Sequence, residues 1–291
     1  MSSIRDIKQR LTSIEQTRQI TNAMYLLSTS MMRKSMQNVA YNVEYMNLLR
    51  AVMKDIIENT KGAGLHNHYI DKSENGRALF VAIAGDKGLC GGFNAAIAQL
   101  TKEKMSLKED SVLYTFGLIG ADYFANRSLS VAKQLNGSSM HPSIHTAREI
   151  TNEVLELYNS GEVNEIYFVY NRYFGSSVHF PVCIRLLPLL RHDFTDVGEL
   201  EDVPSELLFE PSPEAVLKYI VPLYCTGLIY DILMQSSTAE NSARLEAMQS
   251  ATRNADGMIE KLHMDMNAAR QLAITNEITE IAAAGEVQNG S

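Results

Sequence analysis

The sequence predicts a mixed α/β and coiled-coil fold: a long antiparallel two-helix coiled coil from the N- and C-termini, with an α/β domain inserted between its halves. Three observations carry this. The first 61 residues contain neither Gly nor Pro. The last part of the chain carries alanines every four residues. The middle alternates strand-like and helix-like runs.

Residues 1–61 come first. Their breaker-free composition fits one long helix. A 3–4 spacing runs through Ile4, Ile7, Leu11, Ile14, Arg18, Thr21, Tyr25, Ser28, Met32, Ser35, Val39, Asn42, Met46, Leu49, Met53 and Ile56. The polar members fall between Arg18 and Asn42, so the pattern is a coiled-coil seam with a polar middle. At 1.5 Å per residue the helix would be roughly 85 Å long. No compact domain needs that length.

Residues 75–200 form the predicted insertion. "RALFVAIAGD" (77–86), "SVLYTFGLIG" (111–120) and "NEIYFVYNRY" (164–173) read as strands, rich in β-branched and aromatic residues. Phe93–Met105 and Ser143–Asn159 read as helices between them. Alternating strands and helices imply a largely parallel sheet. "VHFPVCIRLLPLL" (178–190) adds an edge strand, given its prolines. An acidic connector follows.

Residues 210–286 supply the second coiled-coil helix, and 287–291 a tail. Past Pro222 there is no proline, and between Gly227 and Gly285 only Gly257 interrupts. Ala239, Ala243, Ala247, Ala251 and Ala255 make a small-residue stripe on one face. Met258, Leu262, Met266, Ala269 and Ala273 are expected to extend it, giving a helix of about 55 residues. Neither long helix can bury its seam alone, so the two should pair.

The formal net charge is −8 and is unevenly placed. Residues 1–61 carry nine Lys/Arg against five Asp/Glu, whereas the remainder is acidic. An acidic chain with one basic end is a poor nucleic-acid binder. No apolar run approaches the roughly 20 residues of a membrane span, so direct membrane insertion is not expected. The N-terminus "MSSIRDIKQRLTSIEQ" lacks the apolar region of a secretory signal. Cys90, Cys183 and Cys225 fit no zinc or disulfide spacing, which points to a reducing, cytoplasmic compartment.

The loop "GDKGLCGG", with Gly85, Gly88, Gly91 and Gly92, invites comparison with phosphate-binding loops. It lacks the Lys-Ser/Thr that closes a Walker A motif and the Gly-x-Gly-x-x-Gly of a dinucleotide site. The four glycines are therefore expected to build a tight strand-to-helix turn, with Asp86 and Lys87 solvated or paired locally. The histidines form no HExxH, and no Ser-His-Asp or GxSxG pattern occurs. Neither catalytic residue, cofactor nor metal is expected.

Four stretches together resemble one family. They are "ITNAMYLLSTSMMRKSM" (20–36), "GDKGLCGGFN" (85–94), "LLFEPSPEAV" (207–216) and "ARQLAITNEITEI" (269–281). In order and spacing they are similar to the γ subunit of the rotary ATP synthase, over essentially the whole chain. The resemblance implies a rotor without an active site of its own. Its coiled coil turns inside a ring of α and β subunits, and its Rossmann-like insertion lies near the ε subunit and the membrane c-ring. It also implies a peripheral place on the cytoplasmic face of a bacterial cell membrane.

By the same resemblance Met24, Arg33 and Lys34 face β, as do Arg270, Gln271, Thr275 and Glu277. Phe209 and Glu210 match the foot near the c-ring and ε. Two positions depart from the family pattern. Asn22 stands where many members have a basic residue, and Met31 replaces a lysine. Both reduce the positive charge of the N-terminal helix. Two other readings stay open on the sequence alone: a non-rotary coiled-coil scaffold, and a nucleotide-binding α/β enzyme using the 85–92 loop.

Overall fold

The computed structural model describes residues 4–59, 68–70, 76–175, 179–194 and 212–289. In chain order the elements are α1 (Ile4–Asn59), β1 (Ala78–Ile83), α2 (Phe93–Met105), β2 (Ser111–Phe116) and α3 (Gly120–Ala125). There follow β3 (Lys133–Leu135), α4 (Ile144–Asn159), β4 (Glu165–Tyr173), β5 (His179–Leu187), a 3-10 turn (Arg191–Phe194) and α5 (Pro213–Asn289). The chain divides into two compact units, Met1–Ser28 with Leu245–Ser291, and Thr29–Arg244.

In the first unit α1 and α5 pair through the predicted seams. Ile7 and Thr21 are buried on α1, Met248 and Ala255 on α5. The Thr21 and Thr252 hydroxyls hydrogen-bond at 2.9 Å, and Arg18 forms an ion pair with Asp256. Rising along α1 thus means descending along α5, so the pair is antiparallel. The polar middle of the seam is matched by polar partners. Arg18 itself is half exposed and bridges the rim of the seam rather than filling it. The expected continuation through Met258 is one residue out of phase. Met258 is exposed and the less exposed Ile259 holds the seam position, because the stripe steps by four from Ala255.

The second unit is built on a five-stranded sheet of order β3-β2-β1-β4-β5. β1 is parallel to β2 and β4, and β5 is antiparallel to β4 at the edge. Every residue of β1 is buried, as its uninterrupted apolar run requires of a central parallel strand. Pro181 lies in the edge strand, where a missing N–H is tolerated. One face of the sheet packs Leu79, Val81 and Ile83 against α4, the end of α1 and the start of α5. The other face packs Phe80 and Ala82 against α2 and α3.

The helix ends follow from local chemistry. α4 begins at Ser143, whose Oγ accepts the Thr146 N–H at 3.1 Å. Ser143→Ala should therefore cost about 1 kcal/mol, read as a fall in the urea midpoint; an unchanged midpoint would show the cap to be idle. α5 begins at Pro213, inside the expected 210–286 segment, and runs unbroken for 77 residues rather than about 55. Ser212 Oγ accepts the Ala215 N–H at 3.3 Å, and Pro213 occupies the first helical position, which suits its fixed φ. Pro222 lies inside the helix without ending it, and the Thr226 hydroxyl donates to its carbonyl at 2.8 Å. Within the second unit, Gly227 lets α1 come close: a Cβ there would lie 2.9 Å from Met46 Sδ.

The expectation about apolar runs also changes. α5 contains an 18-residue window of mean hydropathy 1.4, long and apolar enough to cross a membrane by composition. Half of that window is buried within the chain, where Leu217, Val221, Cys225 and Ile229 enter the core beside the sheet.

Candidate functional site

The strand order reverses between β1 and β4, so the crevice beyond their C-terminal ends is where doubly wound sheets bind ligands. The glycine loop rises there. Its groups, however, are already used. The Gly85 N–H donates to Asn94 Oδ1 at 3.0 Å. The Asp86 carboxylate accepts the N–H groups of Leu118 (3.0 Å) and Met140 (3.2 Å) and the Ser138 hydroxyl. Burial pushes this carboxyl up, but the hydrogen bonds outweigh it and hold it below its ordinary range. Asp86 is thus buried and structural rather than solvated.

The crevice is filled by α5. Glu240 is 1 % exposed, and a Cβ on Gly85 would stand 2.9 Å from its Oε1. Arg244 Nη2 donates to Glu240 Oε1 at 2.5 Å, and the Ser139 hydroxyl donates to Oε2 at 2.9 Å. Arg244 also reaches the carbonyls of Lys87 and Gly88, both at 3.4 Å. The loop therefore turns carbonyl oxygens toward a buried cation instead of N–H groups toward an anion. That arrangement is the reverse of a phosphate cradle, and it overturns the reading of a nucleotide-binding enzyme built on this loop.

Of the four glycines, Gly91 has φ +56°, and Gly85 lacks space for a side chain. Gly88 and Gly92 face open space. The remaining positive φ in the loop falls on Leu89, at +63°, which is exposed. Glu240, Arg244 and Ser139 were not singled out in the sequence. An i, i+4 acid–base pair immediately following Ala239 and Ala243 was the available signal.

The other candidate residues lie on the helices. Met24 is half-buried on α1; Arg33 and Lys34 are exposed. Arg270, Gln271, Thr275 and Glu277 are exposed on α5. Phe209, Glu210 and the 287–291 side chains lie outside the described residues. Among the described residues no group of three or more His, Cys, Asp or Glu could hold a metal ion. The cysteines are free, and burial pushes the Cys225 thiol up to about 12 and that of Cys183 to about 11.

These helices and this sheet have counterparts in known proteins. The family described as ATP synthase matches residues 3–286. A chain from Acetobacterium woodii named "ATP synthase gamma chain, sodium ion specific" is 33% identical, over 99% of each chain. The chain belongs to the ATP synthase gamma chain family. It is a non-catalytic subunit of that synthase. The gamma chain of Ruminiclostridium cellulolyticum is 35% identical over 96% of this chain and 97% of its own. A solved chain from the Euglena gracilis mitochondrial ATP synthase superposes with TM-score 0.67 at 17% identity, covering 98% of this chain and 94% of that one. One from the central stalk of the Tetrahymena thermophila mitochondrial enzyme gives 0.61 at 23% identity, covering 80% and 99%. At these identities the likeness to the solved chains is one of fold.

Proposed function

We propose that this chain is the central rotor shaft of a rotary ATP synthase. Its partners are the α and β subunits of the catalytic ring, the ε subunit and the membrane c-ring. Ion flow turns the c-ring and the shaft with it. The uneven shaft surface then drives each β subunit through open and closed states, and the chemistry occurs on β. The complex sits peripherally on the cytoplasmic face of a bacterial cell membrane.

One observation carries the reading. Away from their seams, α1 and α5 of the first unit expose large apolar residues: Ile20, Leu26 and Leu27 on one, Leu272, Ile274 and Ile278 on the other. A helix pair with apolar residues on its outer faces calls for an enclosing partner. In the gamma chain family, the α/β ring is that sleeve. Met24, Arg33 and Lys34, with Arg270, Gln271, Thr275 and Glu277, are the proposed β contacts. Phe209 and Glu210 are the proposed contacts to the c-ring and ε. The exposed cations Arg33 and Lys34 would meet acidic β loops through weak, salt-screened attractions that can be made and broken each turn.

The test is reconstitution of α and β from the same organism with and without this chain. One copy should co-purify with the ring, and ATP hydrolysis should become strong and sustained. A chain that stays separate refutes the assignment. Within the assembled complex, Arg33→Glu with Lys34→Glu should slow coupled turnover several-fold, most at low salt. Turnover equal to the parent's would remove those two residues from the contact.

A further inference from the structure

The open end of the β4–β5 pair carries two aromatic side chains in solvent. Phe174 and Phe180 are 56 % and 59 % exposed, and their ring centroids lie 6.2 Å apart. Arg172 stands opposite Phe180 in the strand register, and its guanidinium lies 5.5 Å from the Phe174 ring centroid. Single apolar residues scattered over a surface are ordinary, whereas neighbouring exposed phenylalanines form a patch that a partner would cover.

The patch continues onto α1. The Tyr173 hydroxyl donates to Met36 Sδ at 3.7 Å, which sets the end of β4 against that helix. Met36 is exposed, and Arg33 lies three residues before it, one turn away on the same helix face. The surface therefore runs from Phe180 and Phe174 through Met36 to Arg33, all within the second unit.

Its charge is of one sign. α1 carries no Asp or Glu from residue 29 to residue 43, and the chain carries none from residue 166 to residue 192. Arg33, Lys34 and Arg172 are exposed in these stretches. Arg172 acts on the half-buried carboxyl of Asp231 on α5, which offsets one of the three cations and leaves the surface positive. Aromatic rings bordered by cations fit a partner segment that offers apolar side chains between carboxylates.

We propose that Phe174 and Phe180, with Met36, form the apolar centre of a contact with an acidic loop of the β subunit, whose cationic rim is Arg33 and Lys34. The proposal rests on the assignment of the chain as a rotor shaft, and it adds the end of the inserted sheet to the surface that β touches. The apolar centre supplies affinity, and the cations select and orient the acidic loop.

The complex of the full chain with α and β tests this. Benzoylphenylalanine placed at position 174 or 180 should photo-cross-link to β, in a peptide rich in Asp and Glu. Adducts confined to another subunit, or none, overturn the proposal. In a second measurement, parent and variant chains compete for limiting α and β. Phe174→Ser with Phe180→Ser, on exposed side chains, should lower incorporation by about tenfold without moving the free chain's urea midpoint. Phe174→Leu with Phe180→Leu keeps the site apolar and should restore most of it. Equal incorporation of the serine variant overturns the proposal while the rotor assignment stands. A parent chain that fails to assemble refutes that assignment, and the proposal with it.

Discussion

Arg244→Met should destabilise the second unit by about 3–5 kcal/mol, the largest single-residue effect expected in this chain. Arg244 and Glu240 have side chains only 5 % and 1 % exposed, so neither charge has water as an alternative partner. Removing the cation leaves Glu240 facing only the Ser139 hydroxyl at 2.9 Å. The loop carbonyls of Lys87 and Gly88 also lose the guanidinium, and the Lys87 carbonyl keeps only the Cys90 thiol at 3.7 Å as a side-chain donor. The cost should depend on pH in a defined direction. Burial raises the Glu240 carboxyl above its ordinary range, while Arg244 and Ser139 pull it back. A carboxyl raised in the folded state favours folding below its unfolded value and loses that contribution as pH rises through the folded one. Without Arg244 the elevation grows. The Arg244→Met penalty should therefore be smaller near pH 5 than near pH 8. Adding Glu240→Gln should recover part of it, because a neutral amide can still meet Ser139. Urea unfolding of the full chain at both pH values measures this. A penalty independent of pH, or a double variant no better than the single one, would show that Glu240 does not carry a buried charge.

This pair marks the limit of what could be read from the sequence. The seam of α1 was legible because its period is local: fifteen of its sixteen predicted positions are buried or half-buried, and only Arg18 reaches the rim. β1 announced itself by an unbroken apolar run, α2 by its flanking glycines, and α4 by Ser143 at its cap. Short elements escaped. β3 has three residues, and α3 begins at a glycine, so neither is long enough to show a period. The length of α5 was misjudged because proline usually ends a helix, whereas Pro222 is carried within one. The crevice was not legible, since Ser139 meets Glu240 and Lys87 meets Arg244 across more than a hundred residues of chain. The proposed partner contacts lie further out of reach. Arg33 and Arg270 are exposed side chains whose meaning depends on partners, and only the resemblance of whole motifs gave them a role.

Gly117→Ala should cost more than about 3 kcal/mol, although it adds one methyl group. Gly117 ends β2 with φ +99°, a conformation outside the ordinary range of L-residues. A Cβ there would lie 2.2 Å from the Ala84 carbonyl oxygen and 2.8 Å from its carbon. The obstacle is backbone, so no side chain can rotate away. Relief would require the end of β1 to move, against the hydrogen bond from the Ala84 N–H to the Phe116 carbonyl at 2.8 Å. That motion would carry Gly85 and Asp86 with it, and so disturb the N–H groups of Leu118 and Met140 that the Asp86 carboxylate holds. Gly161→Ala is the matched control. Gly161 has φ +79° but open space around its Cα, so its substitution should cost only about 1 kcal/mol of conformational strain. The difference between the two variants isolates the close approach of β2's end to β1. Equal losses in the urea midpoint would mean that positive φ alone explains both. A larger loss at Gly117, with the amides of Leu118 and Met140 losing hydrogen-exchange protection, would show that the turn holds the crevice wall in place and that Glu240 of α5 rests against a surface with no room to yield.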